Sequence, residues 1–465
     1  MIRLFRQYVA PRKIVFVLGE GVLIFLAVTL ASFFLLGRDV GIVSMCEVIW
    51  PKVLLVSIVA QISLYFNDLY ELKIADNTID LASRLMQSIG ITSIILAIIY
   101  FFWPQMIIGR WIFFASLIFL LLFLVFWRLL YSVVIRRKLF AERAIILGSG
   151  ELARDILYEI DGGKDLGYSI SSVISAEKRE GDEVQISGTP VRNGFDNICD
   201  LAERENVESL IIALDEKRGV FPYKELLNCK MRGIDIIDGE SFYERITGKL
   251  LVEKIKPSSL IFSDGFVKSK TSKITKRSVD LLLSALTLVM FLPLILLVGL
   301  AIKLGSRGPV LFRQKRIGEY GKIFVLYKFR SMRVGAEEES GPVWAVKEDP
   351  RITRVGKLIR KLRIDELPQL WNVFNGDASF VGPRPERPFF VEKLKKVIPY
   401  YNERFSVKPG ITGWAQINYP YGASKEDALE KLKYDLYYIK NMSIVIDLIV
   451  FFHTIKIMLL GRGAR

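Results

Sequence analysis

The chain has 465 residues, 51% of them hydrophobic, with a formal net charge of +15 and a mean hydropathy of +0.33. Soluble enzymes are rarely that apolar, and the cations flank apolar runs, so the balance points to a membrane and phosphorylated substrates and away from nucleic acid. A single histidine, His453, excludes a Ser-His-Asp triad or a multi-histidine metal site within one chain. Cys46, Cys199 and Cys229 are dispersed and read as neither a zinc site nor a disulfide framework, which fits a reducing compartment.

Four apolar runs, near 14–36, 50–66, 86–104 and 111–135, predict a four-helix transmembrane bundle over residues 1–140. Arg3, Arg6, Arg12 and Lys13 precede the first run, and Arg136, Arg137 and Lys138 follow the last. The positive-inside rule places both ends in the cytoplasm, as an even number of spans requires. The first run is too long for a signal peptide and lacks a cleavage site, so it is read as retained.

Residues 141–262 alternate strand and helix and predict a Rossmann-like doubly wound α/β domain. Ala144–Leu147 reads as a strand running into Gly148-Ser149-Gly150, with Ala153 completing a GxGxxA pattern. A lone glycine motif is a weak signal. Glu177 is a poor candidate for the ribose acid, and no YxxxK pair occurs. The domain is therefore read as a scaffold without catalysis, with a regulatory ligand left open.

Residues 263–278 are polar and basic and read as a linker. Residues 279–304 are apolar enough to span but carry Pro293 at mid-length, with Lys273, Lys276 and Arg277 before them and Lys303, Arg307, Arg313, Lys315 and Arg316 after. Cations at both ends favour a re-entrant membrane helix broken at Pro293. From 305 to 465 the chain is soluble in character and closes on an apolar stretch interrupted by His453 and Lys456, read as an interfacial helix.

The chemistry concentrates at 349–388. Ile352, Val355, Leu358, Ile359 and Leu362 recur at helical spacing, with Arg351, Arg354, Lys357, Arg360, Lys361 and Arg363 opposite. Asp365 and Glu366 follow. They could open the next helix as a cap and a dipole partner; or the cations could grip a pyrophosphate and hold Asp365 ionised as a nucleophile or Mg²⁺ ligand, with Glu366 a second metal candidate. Pro383 and Pro385 stiffen the backbone around Arg384, a bidentate phosphate binder or a structural turn. "KIFVLYKFRSMR" alternates like a strand and presents Lys328, Arg330 and Arg333. "VKPGITGWAQIN" carries Lys408, Trp414 and Gln416, which could pack on a base or sugar.

Six motifs in order, "KRSVDLLLS", "GPVLFRQKRIG", "YKFRSM", "DELPQLWNVFNGDASFVGPRP", "KPGITGWAQIN" and "YDLYYIKN", resemble those of bacterial polyprenyl-phosphate glycosyl-1-phosphate transferases of the monotopic type, long form. The resemblance covers roughly 275–465 and departs at Ala378, where "GDMS" is usual. It implies a mostly helical monotopic catalytic domain and transfer of sugar-1-phosphate from a nucleotide-sugar, typically a UDP-hexose, to undecaprenyl phosphate with release of UMP. By that resemblance Asp365 is the nucleophile, Glu366 acts beside Mg²⁺ (or Mn²⁺), and Lys328, Arg360 and Arg384 belong to the site; Arg330 and Gln416 are added as substrate-binding candidates. It further implies membrane lipids as partners, a homodimer, and a multi-pass protein of the bacterial inner membrane with both soluble domains cytoplasmic. Two other readings stand beside it: a membrane-anchored nucleotide-sugar dehydratase or epimerase, against which the missing YxxxK counts, and a non-enzymatic scaffold for polysaccharide assembly.

Overall fold

The computed structural model describes residues 2–459 except 5–6, 10, 37–48, 71–77, 138, 163–165, 176–184, 196, 215–220, 256, 336–350, 420–421 and 423. Glu177 and Cys46 lie outside the described residues. Two compact units divide between Phe242 and Tyr243.

In the first unit, the apolar runs form α1 (Pro11–Leu36), α2 (Trp50–Phe66), α3 (Thr78–Phe102) and α4 (Arg110–Arg136). α1 packs on α4 and α2, and α2 on α3. Phe16, Ile24, Ala27, Leu64 and Leu124 are buried between them, while Leu18, Leu122 and Phe126 point outward, an apolar surface suited to lipid. α1, α3 and α4 are long and apolar enough to cross a membrane; α2, at 17 residues, is shorter. The bundle is not purely apolar. Glu20 of α1 and Arg128 of α4 form an ion pair at 2.7 Å, with the Glu20 side chain buried and that of Arg128 mostly so, and Arg128 also donates to Leu69 O at 3.0 Å. Such a charge inside a span needs its partner to be tolerable. Gly19, on the next position, lies so close to the Trp127 ring that no Cβ would fit.

The same unit holds the doubly wound domain. Its strands are β1 (Glu142–Leu147), β2 (Tyr168–Ser175), β3 (Gln185–Ile186), β4 (Thr189–Asn193), β5 (Ser209–Ile212) and β6 (Asp235–Asp238), in the order β3-β4-β2-β1-β5-β6. All neighbours are parallel except β3 with β4. The apolar runs of β1 and β5 are fully buried, as strands covered on both faces require. The chain order reverses at β1, and the glycine turn sits there, leading into α5 (Glu151–Asp161). Gly148 has φ +117°, and a Cβ on it would meet the Ala213 carbonyl, so glycine is needed for the close approach of the β1 and β5 ends.

One expectation is corrected. α6 (Ile198–Arg204) and α7 (Tyr223–Met231) pack side by side, bringing the Cα atoms of Cys199 and Cys229 to 5.2 Å, and the two residues form a disulfide. A sequence separation of 30 conceals that proximity from a spacing argument.

The second unit begins inside the stretch assigned by sequence to the doubly wound domain. Leu250 and Val252 are buried in its core with Tyr401, Leu432, Leu436, Ile446 and Val450. Its α8 (Lys270–Gly305) starts earlier than the apolar run, taking in basic residues expected to be linker, with the Ser269 side chain accepting from Ser272 N. The helix is continuous through Pro293; the break expected there is absent. Proline removes one donor, and only Val289 O loses its helical partner, which does not interrupt the helix. The middle of α8, including Leu286, Val289, Met290 and Leu296, is exposed, and the helix is long and apolar enough to cross a membrane. Its ends are fastened. Near the N-terminus Arg277 donates to Val373 O at 2.6 Å and Phe374 O at 2.7 Å, and buried Asp280 accepts from Ser379 Oγ and Phe380 N at 3.1 Å each. Near the C-terminus Val298 and Ile302 pack on Phe329 and Ile359.

The unit ends in α9 (Lys425–Asn441), opened by a Ser424/Asp427 capping box, and α10 (Ile444–Leu459). Ile446 and Val450 of α10 face the core, and Ile444, Leu448 and Phe452 form an exposed apolar stripe. His453 stands on this helix with Nδ1 3.3 Å from Ile449 O, a local contact and not a ligand set.

Candidate functional site

A hairpin, β7 (Leu311–Ile317) with β8 (Ile323–Phe329), places Lys328 one residue before the end of its second strand. The cationic helix that follows, α11 (Arg354–Lys361), is shorter than its apolar periodicity predicts. Ile352 instead bridges Met332, and Leu358 and Leu362 are exposed. Thr353 caps α11 by accepting from Gly356 N at 2.9 Å. Arg363 then turns left-handed at φ 54°, and Ile364–Glu366 form a single 3₁₀ turn before α12 (Gln369–Asn375). The carboxylate pair therefore sits on a turn between two short helices and does not cap α12.

Asn372 of α12 holds this turn against the hairpin. Its side chain donates to Val325 O at 2.7 Å and accepts from Tyr327 N at 3.1 Å, bonding to the β8 edge as another strand would. The next strand, β9 (Ser379–Val381), pairs in parallel with β10 (Gly410–Thr412) and leads into Arg384. Gly382 and Gly410 cross with their backbones in contact, leaving no room for a Cβ on either.

The two acids have different surroundings. Glu366 accepts from Lys328 Nζ at 2.9 Å and from Arg384 Nη2 at 3.4 Å, with Arg363 Nη1 at 4.0 Å. Burial alone would raise its pKa; Lys328 and then Arg384 outweigh burial and hold it well below the usual carboxylate range. Asp365 makes no hydrogen bond or ion pair among the described residues. Burial first, and the charge of Glu366 second, raise its pKa against the opposing pull of Lys328, Arg360 and Arg363. The expectation that surrounding cations keep the Asp365 pKa low is thus corrected: Glu366 takes the direct cation contacts, and Asp365 is left partly buried and unpaired.

Of the other candidates, Arg360 is half-buried on α11 and close enough to act on Asp365 electrostatically. Arg330 is turned away; its buried guanidinium donates to Ser306 O at 2.8 Å and Arg307 O at 3.0 Å and closes the C-terminus of α8. Arg333 donates its backbone N–H to Arg351 O, alongside the Met332–Ile352 bridge. Gln416, on α13 (Trp414–Asn418), donates to Ile411 O at 3.4 Å and keeps its Oε1 buried without a hydrogen bond. Trp414 donates to Gly248 O at 2.9 Å and stacks on Tyr437, so it belongs to the core and is not free for a base. The Lys408 amine lies by Gly376 at the end of α12. Asn372 and Asp280 escaped the sequence reading. A charged residue inside an apolar run, as in "SVDLLLS", is the signal that could have marked Asp280.

Among the described residues no group of three or more His, Cys, Asp or Glu could hold a metal ion. Mg²⁺ needs less, since it commonly takes one or two carboxylates with substrate phosphates and water completing its shell. The unpaired Asp365 carboxylate beside Glu366 fits that demand.

Comparison with known proteins bears on the same residues. Residues 271–461 match the bacterial sugar transferase family, and residues 65–219 match a CoA-binding domain family. An N-acetylgalactosaminephosphotransferase acting between UDP-N-acetylgalactosamine and undecaprenyl phosphate, from Aeromonas hydrophila, is 41% identical over 52% of this chain and 56% of its own length. An undecaprenyl-phosphate glucose phosphotransferase from Komagataeibacter xylinus is 34% identical over 72% of this chain and 62% of its own length. An exopolysaccharide production protein from Rhizobium leguminosarum bv. phaseoli is 42% identical over 39% of this chain and 94% of its own length. The chain thus spans little more than half the length of the first of these relatives.

Proposed function

Because the chain belongs to the bacterial sugar transferase family, we propose that it transfers sugar-1-phosphate from a nucleotide-sugar, a UDP-hexose, to undecaprenyl phosphate and releases UMP. This would be the first membrane step in building an exopolysaccharide, capsule or O-antigen. The observation that carries the reading is the division of labour between the paired acids: Glu366 gripped by Lys328 and Arg384, Asp365 unpaired beside it. An unpaired carboxylate retains its lone pairs for attack.

The reaction runs in two steps. An Asp365 carboxylate oxygen attacks the phosphorus that bears the sugar. The P–O bond to the UMP portion breaks, and the electron pair leaves with UMP. The phosphate oxygen of undecaprenyl phosphate then attacks the aspartyl phosphosugar, and the Asp365 carboxylate is released. Lys328 and Arg384 exchange their hold on Glu366 for the diphosphate of the donor, and Arg360 adds charge to that side. Phosphoryl transfer asks for this kind of neutralisation and little acid–base machinery. Asp365 and Glu366 would hold Mg²⁺, which supplies further neutralisation of the phosphate oxygens when bound. Excess chelator is expected to abolish UMP release, and added Mg²⁺ or Mn²⁺ to restore it; full activity under chelation would remove the metal from the scheme.

The reading places α8 as a re-entrant membrane helix whose two ends both lie at the cytoplasmic face. Two features support this. Cations flank both ends. Both ends are also fastened to one catalytic unit, Arg277 and Asp280 at one and Val298 and Ile302 at the other, which a straight span would carry to opposite sides of the bilayer. With a cysteine substituted at Lys303, labelling by an impermeant thiol reagent is expected only after the inner membrane is opened. Labelling of intact spheroplasts would overturn the topology. The site would then face the cytoplasm of a multi-pass inner-membrane protein, where nucleotide-sugars are made. Two copies of the chain also belong to this reading, and α7 offers an outward stripe of Tyr223, Leu227 and Met231 for such a contact. The deciding experiment is a panel of UDP-sugars assayed for UMP release with undecaprenyl phosphate; no release with any of them would refute the transferase reading.

A further inference from the structure

Pro383 and Pro385 restrict the backbone around Arg384, but two restricted φ angles do not aim a guanidinium. What holds this turn is visible in its carbonyls. Pro383 O accepts from Gly410 N at 2.9 Å, Arg384 O from Arg404 Nη2 at 3.0 Å, Pro385 O from Arg316 Nη1 at 3.0 Å, and Glu386 O from Ile317 N at 3.0 Å. Four consecutive carbonyls are thus each tied to a different partner, and the two that flank the Arg384–Pro385 bond are tied by arginine side chains.

Both arginines are themselves fixed. Arg404 lies in the core at 6% exposure, with Nη1 donating to Tyr401 Oη at 2.7 Å and Nη2 paired with Asp435 Oδ2 at 2.8 Å. Asp435 is at 1% exposure on α9. Arg316, on β7, is braced by Gln314 Oε1 at 2.6 Å and by Glu386 at 3.7 Å. A buried ion pair is weak evidence for stability, since burial costs about what the pairing returns. A guanidinium holds two acceptors in one rigid planar fork, a fixed geometry that the rotatable ammonium of lysine does not impose. The positions of Arg316 and Arg404 make most sense for what they hold in place.

We propose that Arg316 and Arg404, the latter anchored by Asp435, are positioning residues that clamp the turn so that the Arg384 side chain is aimed at the phosphate site beside Glu366. The proposal rests on the transferase reading for its substrate, a nucleoside diphosphate sugar, but not for its geometry. Neither arginine touches substrate. Each acts through the backbone of the residue that does, and a displacement of the order of an ångström there is enough to cost activity.

The test is a mutant cycle with a separate structural readout. Arg316→Lys and Arg404→Lys keep the charge, and Arg404→Lys keeps a cation for Asp435. Each is expected to lower kcat/KM for the UDP-sugar by roughly ten- to a hundredfold in the presence of Arg384. In an Arg384→Ala background the same substitutions should change it by no more than about twofold, because a clamp has no effect once its cargo is gone. Full multiplication of the effects would mean that the arginines serve general stability and would overturn the proposal, as would wild-type kinetics in both single variants. Hydrogen exchange of the amides of Arg384, Glu386 and Arg387, followed in peptides from the full-length protein, reads the clamp without turnover. Faster exchange in Arg316→Lys and Arg404→Lys is expected, and unchanged exchange in both would overturn the clamp. If exchange accelerates but Arg384→Ala turns over normally, the clamp stands and the phosphate role of Arg384 is what fails.

Discussion

Asp365→Asn is expected to abolish UMP release, by a factor on the order of 10⁴ or more, in a protein that folds as well as the unsubstituted one. The amide is nearly isosteric and cannot form the acyl phosphate. It also disturbs no hydrogen bond or ion pair among the described residues, because Asp365 makes none there. The pKa of Asp365 is raised by burial and by Glu366, so at neutral pH the folded state bears a cost for its charge. Asparagine removes that cost, and the melting temperature should stay equal or rise. The two measurements belong together: UMP release from a UDP-sugar, and thermal melting of the same preparation. The labelled phosphosugar adduct that the unsubstituted protein accumulates before lipid is added should be absent. Normal turnover by the variant would sink the nucleophile assignment.

Lys328→Met is expected to lower turnover by about 10²- to 10³-fold, the scale for removing one preorganised charge from a phosphoryl-transfer site. It acts twice, by deleting a cation meant for the donor diphosphate and by leaving Glu366 without its strongest partner. The sign of the stability effect follows. In the intact site the Glu366 pKa is depressed, so the group contributes stability that is fully present above the ordinary glutamate range and is lost as pH falls through and below it. Without Lys328, burial pushes the Glu366 pKa upward and that contribution shrinks. Melting temperature against pH should therefore separate wild type from Lys328→Met at neutral pH and bring the two together in acid. A constant offset at all pH values would mean that Lys328 stabilises by packing and not through Glu366.

Much of this architecture can be read from patterns of short range. The limits of α2 coincide with the apolar run that predicts it, because hydropathy over a turn or two is a local property. The motif order around Asp365 likewise brings the right stretches forward. The misses share a cause. Arg330 and Arg384 look alike in sequence, each a cation in a motif; only tertiary contacts assign one to the end of α8 and the other to Glu366. Counting cations near Asp365 suggested a lowered pKa, whereas burial and the competition of Glu366 decide the sign. Pro293 suggested a break, but a proline forfeits a single hydrogen bond and a long helix can absorb that. Arg316 read as a topology-setting charge and is found holding the Pro385 carbonyl. Cys199 and Cys229 meet only because two helices lie side by side.

The Glu20–Arg128 pair has a consequence for how the protein is made. The partners are separated by 108 residues, so Glu20 leaves the ribosome and enters the bilayer long before its counter-ion has been synthesised. Until α4 arrives, α1 carries an uncompensated acid that favours staying near the headgroups or the insertion machinery over settling among lipid tails. The first helix is thus provisional and the last one seals it. A nascent chain cut off after α3 would carry a poorly seated anchor, and membrane quality control could recognise the incomplete protein by the Glu20 charge that Arg128 has not yet met.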